Sequence, residues 1–171
     1  MTLPYQPRQP LTDPRWFFGR RAELHQLFSY LNKPTPQNVS IVGQRRIGKS
    51  WLLRVVELDQ ALHTAHLSQP DKYTFVYWDL QAEPRLAPDM FISRLLSLVL
   101  AHLPAELASM CREEVDDEEP EESLLAVLDL LEIDEHRVIP ITRRIRGRYP
   151  RYSLCRKFLL PFAILSSIGR L

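Results

Sequence analysis

Gly43-Gln44-Arg45-Arg46-Ile47-Gly48-Lys49-Ser50 spells G-x-x-x-x-G-K-S. This is the pattern of a phosphate-binding P-loop, or Walker A motif. Successive backbone N–H groups wrap the phosphates, the lysine ammonium reaches the outer ones, and the serine hydroxyl holds Mg²⁺. The flanks suit it. Asn38-Val39-Ser40-Ile41-Val42 is a short β-rich run ending at the first glycine, and Trp51-Leu52-Leu53-Arg54-Val55-Val56 continues with a helix-compatible pattern. Strand, loop and helix in that order are the setting the motif requires.

Working outward, Leu24, Leu27, Phe28 and Leu31 fall at i, i+3, i+4 and i+7, which predicts a helix from Arg20 to near Asn32. The helix opened by the P-loop is expected to run from Lys49 to about His63. Tyr73 to Trp78 is rich in aromatic and β-branched residues and predicts a strand, followed by Asp79-Leu80-Gln81. Pro88 to His102 and Ser123 to Leu131 predict two further helices, with an acidic loop from Glu113 to Glu122 before the second. Alternating strands and helices imply an α/β fold, an incomplete parallel sheet flanked by helices.

Composition bounds the rest. The chain of 171 residues is the size of one ordinary domain, 45% hydrophobic and 25% charged, with a net charge of +1. Cys111 and Cys155 stand far apart without a C-x-x-C, which argues against a disulfide framework or a zinc ribbon. No apolar leader and no stretch of about 20 apolar residues is present, so a cytoplasmic protein without membrane contact is expected. The five histidines form no tight ligand cluster, so no metal beyond nucleotide-bound Mg²⁺ is expected.

Phe17-Phe18-Gly19-Arg20-Arg21-Ala22-Glu23-Leu24, an amphipathic helix, and then the P-loop together resemble the AAA-like (AAA+) and STAND-type P-loop ATPases of prokaryotes. Asp79-Leu80-Gln81 is also similar, and the likeness covers roughly residues 10 to 135. It implies the P-loop NTPase fold and binding of ATP or ADP with Mg²⁺. Gly43, Gln44, Arg45, Arg46, Ile47, Gly48, Lys49 and Ser50 would form the phosphate site, with Ser50 as metal ligand. Phe18, Gly19 and Arg20 would lie beside the adenine. A simpler reading makes Trp16, Phe17 and Phe18 a hydrophobic staple ahead of the helix.

The resemblance also implies an apolar strand ending in Asp-Glu, the Walker B element, just after Arg137-Val138-Ile139. Pro140-Ile141-Thr142-Arg143-Arg144-Ile145-Arg146 stands there instead. Arginines cannot coordinate Mg²⁺, and Pro140 is expected to interrupt a central strand. Asp134-Glu135 is a decoy, because Glu132 would then lie within a buried parallel strand. No Asp or Glu follows Glu135, whereas nine Arg or Lys do.

These features divide the chain into a proline-rich arm (1–15), a partial ATPase domain (16–139) and a basic tail (140–171). Codons for Pro140 to Pro150, with AGA for Arg143, can spell Leu-Leu-Leu-Asp-Glu-Phe-Glu-Ala-Val-Thr when read one nucleotide later. A shifted frame near Ile139 is therefore one expectation, and a divergent basic tail is the other. Tyr149 and Tyr152 among the tail's arginines offer a nucleic-acid strip, the less favoured partner because no recognised motif accompanies it. Nucleotide binding with little turnover is the function expected. The alternatives are an ATPase completed by a second copy or a partner protein, an inactive truncated remnant, or a non-enzymatic module whose basic tail contacts nucleic acid.

Overall fold

A computed structural model describes residues 13–34, 39–44, 46–80, 82–83, 86–87, 90–143 and 165–169. Six α-helices, two short 3-10 helices and four strands lie along them. Helix α1 is Arg21–Leu31, β1 Val39–Gly43, α2 Lys49–Leu58, α3 Gln60–His66 and β2 Tyr73–Trp78. Then come α4 Met90–His102, α5 Ala105–Glu113, α6 Pro120–Ile133, β3 Arg137–Arg143 and β4 Leu165–Gly169.

The strands form one sheet in the order β1-β4-β3-β2, and every neighbouring pair is parallel. The chain leaves β1 for the far edge at β2, then returns through β3 to β4. Right-handed crossovers taken in opposite directions put their helices on opposite faces of a sheet. The two hydrophobic clusters follow that rule. Phe75, Ile139 and Ile141 pack with the apolar sides of α1 and α2, while the alternate residues Val76 and Val138 pack with α4, α5 and α6. This is the period-2 alternation of a strand covered on both sides.

Leu31, Leu53, Val56, Val76, Val99, Val127, Ile139 and Ile141 are fully buried. Complete burial of one such side chain stabilises by roughly 1.5–3 kcal/mol. Arg137 ties the end of α1 to the sheet. Its Nη1 donates to the carbonyls of Leu31 and Lys33, each at 3.1 Å, and to the Tyr73 hydroxyl at 3.0 Å.

Several expectations change. The helix expected from Lys49 to His63 is two helices, broken at Asp59, whose carboxylate accepts from the Ala61 and Leu62 amides and caps α3. The acidic loop expected from Glu113 to Glu122 is present but shorter: α5 reaches Glu113, and α6 begins at Pro120 with Glu121 and Glu122 in its first turn, where carboxylates complement the helix dipole. The 130–135 decoy is the end of α6 and a turn, as its apolar spacing implied.

Pro140 does not interrupt β3. The strand runs through it, pairing Val76 with Pro140 and Tyr77 with Ile141. Among the described residues the β3–β4 register begins at Ile141, which pairs with Leu165. The boundary expected after Ile139 thus falls inside a strand. Residues 144–164 of the basic tail lie outside the described residues, as do the arm up to Thr12, Arg45 and Gln81.

Candidate phosphate-binding site

Parallel pairing brings the carboxyl ends of all four strands to one edge of the sheet. In open α/β sheets ligands bind outside that edge. The 43–50 segment lies there, leaving β1 at Gly43 and entering α2 at Lys49. Gly48 is the N-cap of α2 with φ 87° and ψ 19°, a left-handed conformation that glycine adopts without steric cost. Arg46 is also left-handed, at φ 63°. Gly48 thus opens α2 where β1 ends, and the positive end of the helix dipole lies at that start.

Lys49 is buried, yet among the described residues its ammonium has no carboxylate partner. Nζ donates to the carbonyls of Gly43 at 2.9 Å and Gln44 at 2.6 Å. It spans the loop from α2 back to the end of β1. Burial, and then the nearby Arg20 guanidinium, hold its pKa below the usual lysine value. Gln44, Arg46 and Ile47 are exposed, and Ser50 follows Lys49 in the first turn of α2. Gly43, Gln44, Ile47, Gly48, Lys49 and Ser50 are therefore one local unit.

The Phe18-Gly19-Arg20 box is divided. Phe18 is 81% exposed, whereas Phe17 packs against the core beside α1. Among the three aromatics of the staple reading, Phe17 is the one that meets the core. Gly19 (φ 83°) and Arg20 (φ 53°) are both left-handed, and Arg20 is the N-cap of α1. That double reversal accompanies an Arg20 side chain that reaches the loop after β1, where Nη2 donates to the Ile47 carbonyl. The box resemblance put Arg20 in the site beside a base; its contact with the loop itself had no signal in residue spacing.

The carboxyl end of β3, two strands from β1, carries Thr142 and Arg143 and no acidic residue. Asp79 follows β2 at the far edge, about 14 Å from β1 at the usual strand spacing. Among the described residues, no group of three His, Cys, Asp or Glu side chains could hold a metal ion.

Comparison with family models, with curated proteins and with solved structures finds no match.

One cavity lies away from this loop. It has a volume of about 410 Å³ and is lined by Lys72, Tyr73, Glu135, His136 and Arg137 among others, beside the amino ends of β2 and β3. Its cations already have protein partners, Lys72 with Asp134 and Arg137 with main-chain carbonyls. No described helix is long and apolar enough to cross a membrane.

Proposed function

We propose that this chain is a nucleotide-binding P-loop domain that takes ATP or ADP through its phosphates. One observation carries the reading. The complete G-x-x-x-x-G-K-S stretch stands at the carboxyl end of a parallel strand, with a left-handed Gly48 opening α2 and Lys49 buried behind the loop without a carboxylate partner among the described residues. Helix N-terminal amides and a desolvated ammonium form a charge environment suited to a polyphosphate. Lys49 would exchange its carbonyl partners for the outer phosphate oxygens.

The fit to Mg²⁺ is partial. This ion is held by one or two carboxylates together with substrate phosphates. Ser50 offers one hydroxyl, and the carboxyl end of β3, two strands from β1, offers no acidic group. A bound Mg²⁺ would be held mainly by the nucleotide and Ser50. Phosphoryl transfer depends on positioning the attacking water and neutralising developing charge. With no acidic residue at the end of β3 and no carboxylate paired with Lys49 among the described residues, binding is favoured and hydrolysis is not.

The test is phosphate release measured beside ATP binding on the full chain. Binding with release at background supports the reading. Sustained release that Ser50→Ala removes would show a working ATPase and overturn the binding-only account.

A further inference from the structure

Three positive features meet at the phosphate loop: the start of α2, the Lys49 ammonium and the Arg20 guanidinium. The Arg20 nitrogen that reaches the Ile47 carbonyl also stands 3.9 Å from where a Cβ on Gly48 would lie. The ion pairs of the described residues are Arg15–Asp13, Arg54–Glu57, Lys72–Asp134 and Arg94–Glu83. Neither Arg20 nor Lys49 has a carboxylate among them. Each is instead held by neutral carbonyls of the same loop.

Two like charges drawn together at a helix N-terminus repel, and a carbonyl relieves that repulsion less than an anion does. Arg20 is also aimed by its backbone. Consecutive left-handed residues at Gly19 and Arg20 turn it toward the loop, while Phe18 points into solvent. Conformations outside the right-handed and extended regions persist where surrounding contacts fix them.

We propose that Arg20 is a second phosphate-facing cation, and not an adenine contact: its guanidinium leaves the Ile47 carbonyl to meet the outer phosphates of a bound nucleoside triphosphate. The inference rests on the P-loop reading given above. Arginine suits the role because its planar fork presents parallel donors to phosphate oxygens. The same movement couples nucleotide arrival to α1, since Arg20 is the N-cap of that helix and its carbonyl accepts from the Leu24 amide at 3.0 Å.

The experiment is titration calorimetry of the full chain with ATP, ADP and AMP, using wild type, Arg20→Ala and Arg20→Lys, with circular dichroism to confirm equal helix content. Loss of a charge-assisted hydrogen bond weakens binding by about 10-fold or more. Arg20→Ala is expected to weaken ATP by at least about 10-fold and AMP by less than about 2-fold. Arg20→Lys restores charge without the fork and should recover part of the ATP affinity; if Arg20→Ala loses helix content, this variant carries the same comparison. An equal loss for all three nucleotides would mean a contact to the base or the fold, and would overturn the proposal. So would unchanged ATP affinity, which would make Arg20 a structural clasp only. Wild type that binds no ATP overturns the P-loop reading itself and this inference with it, an outcome distinct from the other two.

Discussion

Gly48→Ala and Gly43→Ala remove the two glycines of one motif, and they should act in opposite directions. Gly48 is left-handed at φ 87°, so an alanine there carries a backbone penalty of about 1–2 kcal/mol. Its new Cβ would meet only the tip of Arg20, at 3.9 Å, so no steric clash adds to this. Gly43 is not among the positive-φ residues. A Cβ there would make ordinary contacts with Ile47 Cγ2 at 3.6 Å and Lys49 Cδ at 3.9 Å. Alanine at such a position restricts the unfolded chain and stabilises by up to about 1 kcal/mol. In a chain of this size 1 kcal/mol shifts Tm by about 2–4 °C. Gly48→Ala should therefore lower Tm by about 2–8 °C, and Gly43→Ala should leave it unchanged or raise it by up to about 4 °C. Differential scanning calorimetry, checked by urea unfolding, measures both. A Gly48→Ala protein as stable as wild type would refute the left-handed turn on which the site geometry depends.

Three further outcomes follow from the same structure. Leu53 is fully buried between α2 and the sheet, so Leu53→Ala should cost about 2–5 kcal/mol in urea unfolding; a loss under 1 kcal/mol would contradict that packing. His63 donates from Nε2 to the Val56 carbonyl at 2.6 Å, and His136 Nε2 lies 2.8 Å from the Thr74 hydroxyl. Burial holds both pKa values below the usual 6.5, although Asp134 opposes the shift at His136. Below that value the unfolded chain binds protons that the folded chain does not, so stability is fully present above about pH 6.5 and falls as pH drops through and below it; unfolding midpoints unchanged between pH 7.5 and 5.5 would contradict this. Finally, the coding sequence after Ile139, read one nucleotide later, is expected to spell three apolar residues and then Asp-Glu. The aspartate would fall at position 143, the last residue of β3; codons that cannot yield Asp-Glu in that frame remove the shifted-frame explanation.

Much of the sheet and its helices was legible because apolar spacing is set by which faces are buried. The stripe Leu24, Leu27, Phe28, Leu31 is the buried side of α1, and the aromatic run from Tyr73 is β2. Less legible were features decided by single contacts. The break at Asp59 depends on one carboxylate capping two amides, inside a pattern that otherwise reads as continuous helix. The α5 helix buries only Leu107, Ala108 and Cys111, too few apolar residues to stand out beside an acidic run. The place of Pro140 inside β3 is not legible from sequence, because the cost of a missing N–H depends on what that position faces across the sheet, which is tertiary information. At the loop, the motif named the residues from Gly43 to Ser50. The Arg20 contact with Ile47 spans 27 positions and depends on two left-handed residues that no periodicity records.

The most direct measurement is an ATP binding isotherm for wild type and Lys49→Ala under identical Mg²⁺. Lys49 supplies the ammonium buried behind the loop, and α2 begins at that residue. The account predicts saturable ATP binding by wild type and none detectable with Lys49→Ala, at matched helix content. Equal affinity in the two proteins would contradict it.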